Sequence, residues 1–196
     1  GYGFEALALH GDLEQRDRDQ ALVRFSNKSI SILVATDVAA RGLDIDAVDA
    51  VINFHISRDL EVHVHRVGRT GRAGNKGRAY SLFSEKERHK LNQLEVMINQ
   101  KIQTSPFPAF STLKMPAYES TMTTLQISGG KKQKVRAGDI LGALTGTDGI
   151  DGSQVGKIQL FDNCAFVAVQ RDAATTAFNK ISHVQLKCRS FRVRVL

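Results

Sequence analysis

Cysteine is nearly missing: Cys164 and Cys188 are the only two, far apart and outside any C-x-x-C spacing. That excludes a thiol metal cage and a disulfide framework, and leaves two reduced side chains in a core or sheet. Tryptophan does not occur, and the three prolines, Pro106, Pro108 and Pro116, share one short stretch. No apolar run approaches the roughly 20 residues of a membrane helix. The first residues, GYGFEALALHGD, lack the basic-then-apolar pattern of a secretory leader. A cytoplasmic chain with no membrane partner is expected. A phosphate-binding loop of the form G-x-x-x-x-G-K-[ST] is also absent, since Gly130-Lys131-Lys132 and Gly74-Asn75-Lys76 both fail at several positions.

Acidic residues are the minority, 20 against 27 Lys and Arg, for a net charge of +7 over 196 residues. The excess is uneven. Residues 1–115 carry 16 basic and 14 acidic side chains, whereas 116–196 carry 11 and 6. A small C-terminal part with most of the excess charge is an electrostatic footprint for nucleic acid.

The hydrophobic pattern divides the chain into domains at 1–102 and 122–196, with a linker at 103–121 that holds every proline and has no clear periodicity. In the first domain, ALALH and the nearly continuous apolar run SISILVAT read as strands, the second buried on both faces of a parallel sheet. Asp12 is placed to cap a helix over about 14–25. DAVINF and Gly77 to Phe83 read as further strands. A helix from about 59 to 67 lies between them, and a long one capped by Ser84, with Glu87 at the capping-box position, runs to about Ile102. Alternation of this kind predicts an open α/β layer. The second domain reads as strand 123–128, helix 137–144, strands 157–161 and 164–169, helix 172–181 and strand 187–196. That βαββαβ order is the ferredoxin-like arrangement of RNA-recognition motifs.

The densest chemistry lies in His65-Arg66-Val67-Gly68-Arg69-Thr70-Gly71-Arg72. Guanidinium forks match phosphate oxygens two at a time, and glycine lets backbone approach a ligand closely. Arginines three apart share one side of a helical turn. A solvated basic loop is the bland alternative. A metal pair at His63 and His65 is disfavoured because no Cys or Glu cluster lies nearby. A second segment, Ala35-Thr36-Asp37-Val38-Ala39-Ala40-Arg41-Gly42-Leu43-Asp44-Ile45, follows a buried strand and could by itself be a capped helix start.

Together these segments resemble motifs VI and V of the DEAD-box RNA helicases. The resemblance implies a partial second RecA-like domain, beginning after the strand and helix that should open it. The phosphate-binding loop and the D-E-A-D tetrapeptide would belong to the first RecA-like domain, which would be a partner and would hold Mg²⁺ with the ATP. It implies that Arg69 and Arg72 act as arginine fingers on the γ-phosphate and that Asp44 meets the ATP ribose. His65, Arg66 and Arg41 would couple the nucleotide and RNA sites. His10-Gly11-Asp12, with Gln15 and Arg18 following, fits the family pattern for RNA-backbone contacts, and Thr36 would hold another phosphate. No resident metal site is implied for this chain.

The C-terminal part resembles the RNA-binding domain of the DbpA type of that family. This implies binding to a hairpin of 23S ribosomal RNA in the 50S precursor and a role in large-subunit assembly. The first-strand stacking position is Gln126, and the third strand offers Cys164 and Phe166, so one of three usual aromatics remains. The RNA-binding residues expected are Lys131, Lys132, Lys134 and Arg136, a basic cluster at a strand–helix loop, then Lys157, Phe166, Arg192 and Arg194. Two rival readings are an RNA-binding module without its own ATPase activity and a DNA translocase that shares the arginine motif.

Overall fold

The computed structural model describes residues 3–37, 48–71, 76–109 and 116–196. Its contacts gather into two compact units. One contains residues 1–40 with 116–196, the other residues 41–115.

In the first unit, β1 (Ala6–Leu9) and β2 (Ile32–Ala35) pair in parallel, with Leu9 opposite Ala35. Helix α1 (Gln15–Ser26) makes the crossover and buries Ala21 and Val23. Parallel neighbours require such a long return, which is why a helix must intervene. The helix ends where Lys28 turns left-handed (φ 57°) and the amides of Asn27, Lys28 and Ser29 reach back to Val23, Phe25 and Arg24. Two expectations are corrected. Asp12 does not cap α1, because the N-cap position falls at Glu14 and Asp12 is drawn to His10 at 3.6 Å instead. β2 is not buried on both faces: Ile32 and Val34 are 39% and 60% exposed, since among the described residues β2 pairs only with β1.

In the same unit the C-terminal residues form a four-stranded antiparallel sheet. Its strands are β5 (Met122–Ile127), β6 (Val155–Leu160), β7 (Ala165–Gln170) and β8 (Val193–Val195), in the spatial order β6-β7-β5-β8. Helices α4 (Ala137–Thr145) and α5 (Ala174–His183) cover one face. Alternation along β5 and β7 sends Leu125, Ile127, Val167 and Val169 toward those helices, where they meet Ile140, Leu144, Ala177 and Ile181 with exposures of 2% or less. Leu125→Ala, on the central strand, is expected to cost about 3 kcal/mol. Differential scanning calorimetry should show the midpoint of this domain falling by roughly 15 °C.

The last strand is shorter than the pattern 187–196 suggests. Lys187 and Cys188 both take left-handed backbone (φ 53° and 59°), and Leu186 and Arg189 exchange amide–carbonyl bonds of 2.9 and 3.1 Å. The chain therefore reverses before β8 begins.

In the second unit β3 (Ala50–Asn53) and β4 (Arg78–Ser81) pair in parallel, joined through α2 (Leu60–Val67), whose first turn is capped by Asp59 accepting from the amide of Glu61 at 3.0 Å. A 3-10 turn at Glu85–Glu87 leads into α3 (Arg88–Ile98), and the Glu87 carboxylate accepts from the Ser84 amide at 3.2 Å as the capping-box reading requires. The helix stops at Ile98 rather than near Ile102. Asn99 turns left-handed (φ 51°), and Glu95 then accepts from both Lys101 and the amide of Ile102. No described helix is long and apolar enough to cross a membrane.

Candidate RNA and nucleotide interface

At the carboxyl ends of β1 and β2 the Thr36 amide donates to the Leu9 carbonyl at 3.2 Å. This brings Thr36 beside the loop that begins at His10. The start of α1 follows that loop, so Gly11, Gln15 and Thr36 share the end of the sheet where open α/β folds bind ligands. Gly11 is exposed, and a Cβ there would meet no atom within 4 Å, so packing does not require glycine at this position. The Gln15 carboxamide donates to Asp19 Oδ1 at 2.6 Å, and Arg18 lies half-buried on the same helix. Of the second motif, Arg41 and Asp44 lie outside the described residues.

The arginine octapeptide begins on the last turn of α2. His63 is buried there at 3% exposure, whereas His65, two residues on, is exposed. Arg66 donates to the His55 carbonyl at 3.2 Å. Beyond the helix, the Arg69 amide bonds to the Arg66 carbonyl at 3.1 Å and the Arg69 carbonyl accepts from the Val48 amide at 3.2 Å. The Thr70 hydroxyl donates to the Val48 carbonyl. Gly77 seals this arrangement, because a Cβ on it would lie 2.1 Å from the Thr70 hydroxyl oxygen. Arg69 is thus carried on a backbone tied at both ends. Arg72 lies outside the described residues.

Burial, and next the charge of Arg66, push the His63 imidazole below its ordinary pKa of 6.5. Its Nε2 lies 3.4 Å from the Ser81 hydroxyl, and its Nδ1 has no hydrogen-bond partner among the described residues. The unfolded chain therefore takes up a proton at higher pH than the folded one, and acid favours unfolding. The stability tied to neutral His63 is complete above about pH 6.5 and declines as pH falls below it. Hydrogen-exchange protection factors of α2 amides, which divide out the intrinsic pH dependence of exchange, should fall between about pH 7 and 5, and His63→Gln should flatten that dependence.

The basic loop after β5 is the third group. Lys131, Lys132, Lys134 and Arg136 are all exposed, while Val135 among them is 2% exposed and anchors the loop in the core. The remaining anchors engage the loop through its backbone amides. Lys131 and Lys132 amides donate to the carbonyls of Phe161 and Asp162, each at 2.9 Å, and the Gly130 amide donates to Gln133 Oε1 at 2.8 Å. A Cβ on Gly129 would lie 2.5 Å from the Phe191 ring, and one on Gly130 would lie 2.1 Å from the Phe161 carbonyl oxygen. The Arg136 amide donates to Asp139, which also pairs with Lys187 at 3.1 Å; Lys187 first, then the amide, hold that carboxyl below its usual range. Lys187 therefore stands beside the basic loop. The sequence reading missed it, having placed it inside a strand; the only signal was the positive charge itself.

The other expected residues lie elsewhere. Register aligns Phe166, Gln126 and Arg194 in one row across β7, β5 and β8. Phe166 and Gln126 are only 3% and 5% exposed, and Thr124 and Ala168 in the next row are 0% and 1% exposed. The N-terminal part of the unit covers this face: Asn27 Nδ2 donates to Thr124 Oγ1 at 3.2 Å, the hydroxyls of Ser29 and Thr124 lie 2.7 Å apart, and Lys157 Nζ donates to Ser26 Oγ at 3.1 Å. Arg194 Nε donates to Gln126 Oε1 at 2.5 Å, and Arg192 stays exposed while its carbonyl accepts from Ser128. Phe166 thus faces protein in this arrangement, while Lys157 stays exposed and bonds to Ser26.

Two family models match the chain. Residues 1–74 fit the helicase conserved C-terminal domain, and residues 124–195 fit the DbpA RNA binding domain. The ATP-dependent RNA helicase DbpA of Escherichia coli is 50% identical over 194 residues, 99% of this chain. The chain belongs to the DbpA-type DEAD-box helicases. It spans 42% of the E. coli DbpA relative and 44% of the Bacillus subtilis one, to which it is 31% identical over 97% of its own length. The E. coli DEAD-box protein SrmB, solved bound to regulator of ribonuclease activity A, superposes with a TM-score of 0.51 at 36% identity, covering 60% of this chain and 69% of that one. The fold is accordingly that of a RecA-like helicase domain followed by an antiparallel RNA-binding domain. The basic loop at 129–136 falls inside the RNA-binding match, and the arginine octapeptide at 65–72 falls inside the helicase match.

Proposed function

We propose that residues 1–102 act as the second RecA-like domain of an ATP-dependent RNA helicase and that residues 122–196 tether it to structured ribosomal RNA. The observation that carries the tether is the loop at 129–136, where four exposed cations stand on a backbone fixed by the Phe161 and Asp162 carbonyls, by Gln133 and by Asp139. A fixed array of cations can meet several phosphates with little ordering cost, and anchoring raises the local concentration of nearby duplex at the helicase core. The RNA in this reading is a hairpin of 23S rRNA within the 50S precursor, met in the cytoplasm during large-subunit assembly.

In the catalytic cycle the chain meets a nucleotide-bearing first RecA-like domain over duplex RNA. The exposed amide of Gly11, with Gln15, Arg18 and Thr36, holds one strand at the carboxyl end of the parallel pair. Arg69 and Arg72 present guanidinium forks to the γ-phosphate, Asp44 meets the ribose, and Arg41, His65 and Arg66 join the two events. Mg²⁺ arrives with the ATP and is held by the first domain. A second reading, an RNA-binding module without ATPase activity of its own, is favoured for the chain as it stands by the lack of any phosphate-binding loop in the sequence. ATPase activity of the isolated chain with RNA present separates the two.

The tether is tested by binding the chain to a large-subunit rRNA hairpin and to a scrambled hairpin of equal length over a salt series. Tight binding that weakens for the scrambled RNA supports the reading. Equal affinities with the same steep salt slope reduce the domain to a nonspecific electrostatic contact.

A further inference from the structure

A half-open cleft of about 720 Å³ lies at the end of the C-terminal sheet, between the 128–131 loop, the 160–164 turn and the first turn of α1. That volume is within the range of sites that enclose small organic ligands, roughly 300–1,000 Å³. Its lining is mixed. Phe161 supplies an aromatic wall, Asn163 a carboxamide able to donate and accept, and Arg16 and Lys131 two cations, while the two lining carboxylates are already engaged, Asp19 by Gln15 and Asp162 by Lys132. Phe161 is half-buried, and its ring meets the buried Phe166 ring at 84° with centroids 5.4 Å apart. The Phe161 carbonyl is also bound by the Lys131 amide at 2.9 Å. An aromatic ring locked in this way, with cations beside it and an amide opposite, has the parts of a base-stacking platform.

We propose that this cleft receives one unpaired nucleotide of the bound RNA, its base against Phe161 and its flanking phosphates at Lys131 and Arg16. The proposal rests on the RNA-binding reading and sharpens it. The usual stacking face is covered here, with Phe166 only 3% exposed, so base contact moves from the middle of the sheet to its end. Arg16 lies on α1 between Gln15 and Arg18. One helix would therefore border both the strand-holding surface and the base cleft. Asn163 reads the base edge, giving the domain a preference that phosphate contacts alone cannot supply.

The test uses the whole chain and the large-subunit rRNA hairpin, with a fluorescent purine analogue replacing each unpaired purine in turn. One labelled position should change its emission on binding, as a base stacked on an aromatic ring does. Phe161→Leu, which keeps apolar bulk, should abolish that change and weaken binding about tenfold or more. Arg16→Ala and Asn163→Ala, both outside the core, should weaken binding several-fold while thermal unfolding stays unchanged. Tight hairpin binding by the parent chain, together with unaltered emission and affinity in all three variants, overturns the cleft and leaves the tether intact. Absence of hairpin binding by the parent chain overturns both.

Discussion

Arg69→Ala is expected to lower RNA-dependent ATP hydrolysis about a thousandfold in a protein that joins this chain to a nucleotide-binding RecA-like domain. The size follows from the proposed role: a guanidinium on the transferring phosphoryl group acts only as charge develops there, so its removal should appear in kcat. The backbone tells the same story. The Arg69 amide and carbonyl are engaged by Arg66 and Val48, and Thr70 grips the Val48 carbonyl, so loss of the side chain leaves the loop in place. Arg69→Lys keeps the charge and loses the planar fork, and it should recover only a minor part of the rate. Steady-state ATPase assays at saturating RNA read the effect directly. Retention of turnover within about tenfold of the parent would remove Arg69 from the catalytic groups.

The second large effect concerns affinity. Replacing Lys131, Lys132, Lys134 and Arg136 together by alanine should weaken binding of the rRNA hairpin about a thousandfold near 0.1 M salt, and flatten the slope of log K against log salt by about 3. The fold should survive, because Val135, Gly129 and Gly130 are retained and the backbone bonds to Phe161 and Asp162 do not involve the altered side chains. The Lys132–Asp162 pair, 3.6 Å apart with both side chains over 60% exposed, adds little to stability. Fluorescence anisotropy at several salt concentrations measures both quantities. An unchanged slope would place the phosphate contacts elsewhere on the domain.

Much of this arrangement was legible in the residues, and the misses have physical causes. The βαββαβ pattern of the C-terminal domain follows from alternation in strands such as MTTLQI and AFVAVQ, which local sequence expresses strongly. The turn at Lys187 and Cys188 was invisible because left-handed backbone there is taken by two residues that ordinarily avoid it, with no glycine to mark it. The stop at Asn99 was readable in principle, since asparagine is the second choice for that conformation. Burial of Phe166 and Gln126 could not be read at all. It depends on Asn27 and Ser29 meeting Thr124, contacts between positions far apart in the chain that no periodicity encodes. For the candidate sites, the spacing of the arginines and the basic loop pointed to the proposed chemistry, whereas the cleft beside Phe161 exists only once two loops and a helix converge.

The basic loop separates what holds it from what it displays. Its shape depends on one aliphatic peg, two glycines, peptide groups and the Gln133 and Asp139 side chains, and none of the backbone bonds that hold it uses the four cationic side chains. With RNA held there as proposed, affinity should be gradable in single steps, by exchanging one cation at a time for glutamine, without disturbing the mount. A designer who wanted a helicase that lets go of its RNA sooner would have a dial there, and natural drift in the number of lysines would turn the same dial.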